Sequence, residues 1–162
     1  MRVEIDTIID APAETVWHHL GRPALLMHVA APILRFRPVD PPEWPERWAE
    51  GDYSAEMRFL GLLPLGRQTV GLRRGAEQGW PRTIRDDGHG TLVKRWDHLI
   101  TLAPDGPSRT RYRDTVDIKS GLLTPFVWLF AQFFYRHRQR RWRALARTGF
   151  RTLPAEKASP RA

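Results

Sequence analysis

The chain has 162 residues, enough for one domain and too few for two of ordinary size. It has no cysteine, which excludes disulfides, thiolate metal sites and cysteine nucleophiles. The formal charge of +8 is confined to one end: residues 1–134 hold 17 basic and 17 acidic side chains, whereas 135–162 hold nine and one.

The start, MRVEIDTIIDAP, carries acids early and no apolar core of a signal peptide, so the expected compartment is the cytoplasm. Residues 2–9 alternate as a strand, with Val3, Ile5 and Ile9 on one face. Asp10-Ala-Pro12 supplies an acidic cap and an early proline for a short helix, AETVWHHL, which Gly21 stops. PALLMHVA, 23–30, predicts a second short helix, ended by Pro32. Strands and turns fill 33–119: ILRFRPV, a proline-rich connection DPPEWPERW, DYSAEMRFL, the loop GLLPLG, GRQTVGLRR, then RTIRD and TLVKRWDHLITL around a turn DGHG. TRYRDTVDIK follows the loop APDGPS, and a long helix runs from Thr124-Pro125, with threonine as its cap, to about residue 150. The plan is α+β: one strand, two short helices, about six further antiparallel strands curled round a long C-terminal helix. A single domain over 1–153 is expected, with PAEKASPRA, 154–162, as a disordered tail.

Strands 92–102 and 109–119 are the most informative pair. With Leu102 opposite Thr110, one face gathers Trp96, His98, Ile100, Tyr112, Asp114 and Val116, while the other pairs Arg95 with Asp117 and reads as solvated. A slip of two residues keeps the faces. His98 and Asp114 thus sit on an apolar inner face, where buried polar groups need partners. Three readings stay open: they satisfy each other, they orient a ligand's polar end, or they form a general acid/base pair.

In the terminal helix, Gln132, Arg136, Gln139, Arg140, Arg143 and Arg147 gather on one side, and Val127, Phe130, Ala131, Phe134, Trp142 and Leu145 on the other. The basic side reads as a solvated face. His137, Arg138 and Arg141 fall near the apolar side, where they meet either a pocket or acids of the body. Nucleic-acid binding is not expected, because the neutral body offers no second basic patch. Trp128, Leu129 and Phe133 need a partner besides the sheet: an anionic membrane surface, a bound lipid or a second subunit of a homodimer. No histidine or carboxylate cluster has ligand spacing, so no metal or cofactor is expected.

The opening IIDAPAETVWHHL, the later WDHLI and RYRDTV, and the terminal helix resemble the START/SRPBCC superfamily, which includes polyketide cyclase/dehydrase-like proteins. The resemblance covers roughly 2–150 and implies a helix-grip fold, with an elongated apolar cavity between curved sheet and long helix. Members bind lipids, polyketides, hormones or other hydrophobic molecules, and some are enzymes. It implies no shared catalytic motif. The expected function is therefore to bind a small hydrophobic or amphipathic molecule. The expected lining is Trp96, His98, Tyr112 and Asp114 on the sheet with Phe130, Phe134, His137 and Arg141 on the helix. GLLPLG is expected near the entrance. The alternatives are a cyclase/dehydrase-like enzyme using His98 and Asp114, and a membrane- or partner-docking module using the basic helix.

Overall fold

The alternation in the first strand, β1 (Arg2–Ile9), fully buries Val3 and Ile9 and leaves Arg2, Glu4, Asp6 and Ile8 outside. A computed structural model describes residues 1–75 and 78–156. After β1 come two short helices, α1 (Ala13–Leu20) and α2 (Pro23–Ala30), then strands β2 (Leu34–Asp40), β3 (Gly51–Phe59), β4 (Leu63–Arg74), β5 (Arg82–Gly90), β6 (Arg95–Pro104) and β7 (Thr110–Lys119). A single 3-10 turn at Gly121–Leu123 leads into α3 (Thr124–Arg147). All seven strands form one antiparallel sheet in the order β1-β7-β6-β5-β4-β3-β2, so the chain meanders from β2 to β7 and its first strand closes against its last. This is the α+β helix-grip arrangement. Among the described residues, no helix is long and apolar enough to cross a membrane.

Several local expectations are corrected. Pro12, not Asp10, precedes α1, and no side chain caps that helix. Thr124 is already helical; its Oγ1 accepts from Ser120 N and donates to Gly121 O, tying the 3-10 turn to α3. The turn expected at DGHG is strand: β5 runs to Gly90 and places His89 opposite Thr69. Glycine serves close approach there, since a Cβ on Gly88 would lie 3.0 Å from both the Gln68 side chain and Thr69 O. Four of the six residues of GLLPLG are strand as well, because β4 begins at Leu63.

The register of β6 and β7 differs from expectation by two residues: Leu102 faces Tyr112, Ile100 faces Asp114 and His98 faces Val116. β6 extends to Pro104, and the hairpin loop tightens to Asp105–Arg109, closed by Asp105 N donating to Arg109 O at 2.9 Å. An even slip preserves the faces, so His98 and Asp114 still share the inner one. It changes the outer one. Asp97 lies opposite Asp117; two arginines, Arg85 at 2.6 Å and Arg95 at 2.8 Å, take the first carboxylate, and Arg2 takes the second at 2.8 Å. Those two arginines hold the Asp97 carboxyl down to about 2.

Helix α3 buries Ala131, Phe134, Tyr135, Arg138, Gln139, Trp142, Leu145 and Ala146 in the sheet's concavity. Arg136, Arg140, Arg143 and Arg147 are exposed, so the basic face is solvated as expected. Gln139, expected among them, is buried because it donates to Ile5 O at 2.7 Å and to Asp114 Oδ2 at 3.0 Å, joining the helix to β1 and β7. Past α3, Phe150 stacks on His19 and packs edge-on to Trp142. Arg22 donates to Pro154 O at 2.6 Å, and Arg47 pairs with Glu156 at 2.6 Å. The rest of the expected tail, 157–162, lies outside the described residues.

Candidate functional site

Between the concave sheet, α2 and α3 lies a cavity of about 430 Å³. Its wall is apolar for most of its extent: Leu25 and Val29 from α2, Met57, Val70, Leu72, Ile84 and Ile100 from the sheet, and Val127, Phe130 and Phe134 from α3. The volume falls in the range of roughly 300–1,000 Å³ usual for small-molecule sites. Leu63, Leu92, Leu123 and Phe126 line it while remaining exposed, Phe126 to 72%, and so form its mouth.

Polar groups gather at Gln68, Asp86, His98, Tyr135 and Arg138. β5 and β6 set Asp86 opposite His98, since the inward period of two brings Ile84, Asp86 and Gly88 to one face. His98 Nε2 lies 2.7 Å from Asp114 Oδ1, which also accepts from Tyr112 Oη at 3.0 Å. With Gln139 on its other oxygen, this fully buried carboxylate has three donors. Burial alone would raise its pKa, but the His98 bond and the Arg138 charge hold it below the usual range. Burial lowers the pKa of His98 against the pull of Asp114. The imidazole is therefore neutral, Nε2 donates to Asp114, and Nδ1 keeps its lone pair with no hydrogen bond to a described residue.

Asp86 accepts from Gly71 N at 2.9 Å, and burial pushes its carboxyl up to about 7. Arg138 is 5% exposed, its Nε is buried without a partner, and it forms no hydrogen bond or ion pair with any described residue. Its guanidinium lies over Tyr135 at 5.0 Å and Phe134 at 5.9 Å. Tyr135 in turn accepts from Trp96 Nε1 at 3.0 Å, which fixes the indole in the wall.

Of the residues expected to line the site, Trp96, His98, Phe130 and Phe134 do so. Tyr112 and Asp114 stand behind the wall, both fully buried, and reach the cavity only through His98. His137 and Arg141 are directed elsewhere. His137 Nε2 meets Ala31 O and Arg141 Nε donates to His28 O, both at 2.8 Å, at the C-terminal end of α2. Unsatisfied carbonyls and the negative end of the helix dipole draw such donors. Arg138, one residue from His137, is the one that turns inward. Asp86 and Gln68 were not expected at the site; the only trace of them is the alternation of their own strands.

A family model for a domain of unknown function, DUF8410, matches residues 7–146. The chain belongs to the DUF8410 family. No curated protein matches it. Among solved structures, this DUF8410 chain is similar to a protein from Arthrobacter aurescens (TM-score 0.65, 16% identity, covering 99% of this chain and 93% of that one). It is similar to a START superfamily protein from Mycobacterium smegmatis (0.60, 14%, 91% and 97%). It is also similar to the Zhui aromatase/cyclase from Streptomyces sp. R1128 (0.62, 15%, 94% and 96%). At these identities the likeness establishes the fold alone: this chain has a START/SRPBCC-like helix-grip fold.

Proposed function

We propose that the protein binds a small hydrophobic or amphipathic molecule in the cavity between sheet and α3, as a single domain over residues 1–153. The observation that carries this is an apolar cavity of about 430 Å³ with an exposed apolar mouth and a small group of polar side chains. Burial of apolar ligand surface drives binding, and the polar side chains set orientation. The test is titration with a neutral apolar fluorophore, N-phenyl-1-naphthylamine, read by quenching of Trp48 and Trp96 in the wall. Saturable one-site binding is expected; a linear, non-saturating response refutes the reading. Native mass spectrometry of gently purified protein then reports any retained molecule and the oligomeric mass.

A second reading is favoured by one feature. His98 lines the cavity with its Nε2 fixed on Asp114, the arrangement an oriented general base requires. In a cyclase/dehydrase-like enzyme, Nδ1 would take a proton from bound substrate and Asp114 would steady the imidazolium. That reading requires His98→Gln to abolish turnover while leaving fluorophore binding intact. The docking reading rests on the exposed Arg136, Arg140 and Arg143, and requires salt-sensitive binding to anionic vesicles that glutamine at these positions removes.

A further inference from the structure

Arg138 is the one cationic side chain among the described residues lining the cavity, and all but 5% of it is buried. A buried guanidinium with no hydrogen bond or ion pair is costly, because water is lost and nothing replaces it. Two features of its surroundings explain why it remains charged without satisfying it. Asp114 lies near enough for its charge to favour the cation, as Asp86 does when ionised, yet neither approaches within ion-pair distance. The aromatic faces of Tyr135 and Phe134 attract it but accept no conventional hydrogen bond. The donors of this planar fork are therefore committed to none of the described residues, at the polar part of an otherwise apolar chamber.

We propose that the cavity is selective for amphipathic monocarboxylic acids, whose carboxylate pairs with the Arg138 guanidinium while the apolar body fills the chamber. This rests on the ligand-binding reading and names its substrate class. A carboxylate matches the fork bidentately. One cation suits a monoanion; a phosphate dianion would bring a second charge into an apolar chamber with no second cation in the lining. The neutral His98 is not a competing cation, and its Nδ1 is free to accept from a hydroxyl on the same ligand.

Asp86 gives the interaction a pH signature. The groups around it are Gly71 N and Gln68 on β4, His98 and Asp97 on β6, Asp87 beside it, and Arg138 and Tyr135 on α3. Asp114 and Tyr112 stand behind His98. With its carboxyl pushed up to about 7, Asp86 is protonated and compatible with a bound anion below that pH. Above it, binding must take up a proton or meet a like charge, so affinity for an acid falls as pH rises through this range and affinity for an alcohol does not.

The experiment compares decanoate with decan-1-ol by calorimetry on the full chain and on Arg138→Met. At pH 6, decanoate should bind the unmodified protein at least about tenfold more tightly than decanol, and Arg138→Met should abolish that preference while keeping decanol binding. Equal binding of acid and alcohol, or a preference that survives in Arg138→Met, overturns the proposal and leaves the cavity reading standing. Failure of both probes and of the neutral fluorophore overturns the cavity reading with it. Carbon-13 spectroscopy of carboxyl-labelled decanoate on the unmodified protein decides the matter even if the variant does not fold. The bound carboxyl should titrate below its value in water, and titration above that value overturns the proposal.

Discussion

Replacing Asp114 by asparagine changes one atom and should unbalance the centre of the fold. Asp114 Oδ1 serves His98 and Tyr112, and Oδ2 serves Gln139. Asparagine keeps one acceptor and turns the other into a donor, which meets the Gln139 amide nitrogen head-on. Flipping Gln139 would satisfy the new donor but aim its oxygen at Ile5 O, which now receives a bond of 2.7 Å. One buried hydrogen bond to a charged group is lost whichever way the amides settle, a cost of about 1.5–3 kcal/mol. Loss of the anion that favours the Arg138 cation adds to it, so a total near 3 kcal/mol is expected. For a chain of this size that lowers Tm by about 6–12 °C. The folded-state pKa of Asp114 is depressed, so its contribution is present above the unfolded-state value and is lost as pH falls through the folded one. The gap between the two proteins should therefore be full at pH 7 and close in acid. Thermal melts followed by circular dichroism across pH measure it, with Asp117→Asn as a surface control expected to move Tm little. A melt of Asp114→Asn within 2 °C of the unmodified protein at pH 7, or a gap that persists at low pH, refutes the reasoning, with ~2 °C being the lower end of what 1 kcal/mol produces.

His19 is held neutral: burial first, then the charges of His18 and Arg22, push it down to about 4, and its ring stacks on Phe150 at 4.1 Å. The unfolded chain therefore binds more protons between about 6.5 and 4, and stability should fall as pH drops through that window. His19→Phe should flatten this limb in a series of melts at pH 4–7. Trp142 is fully buried, and its Nε1 has no hydrogen-bond partner among the described residues. Trp142→Phe thus removes no hydrogen bond and should cost about 1–2 kcal/mol for the void, against about 3–5 for Trp142→Ala, by denaturant titration.

The inward faces of β6 and β7 were readable because a period of two survives any even slip, and for the same reason the register was not. Pairing depended on a hairpin loop whose length Asp105-Gly-Pro-Ser-Arg109 left open by two residues. DGHG read as a turn because aspartate and glycine mark turns, whereas here Gly88 makes room for Gln68 and Asp87 is an exposed strand residue whose neighbour Asp86 faces the cavity. On α3 the helical wheel separated a basic face from an apolar one, but one turn covers three neighbours: sheet, cavity and α2. Which of His137, Arg138 and Arg141 meets which depends on where the end of α2 comes to rest, and that is a tertiary fact. Gln139 shows the converse, a polar residue drawn inside by a carbonyl of β1 and a carboxylate of β7.

The meeting of first and last strands also bears on how the chain assembles. β1 has nowhere to pair until β7 exists, since Arg2 lies opposite Asp117 and Ile9 opposite Thr110. Contacts of such long sequence separation carry a large loop-closure cost and slow folding. During synthesis the meander β2–β7 emerges as neighbouring hairpins, while the N-terminal strand, though made first, waits with an unpaired edge. α3 comes later still and brings Phe130, Phe134 and Arg138, so the chamber forms only once the final helix has docked. A ligand can therefore stabilise the finished molecule and slow its unfolding, but it cannot template the sheet.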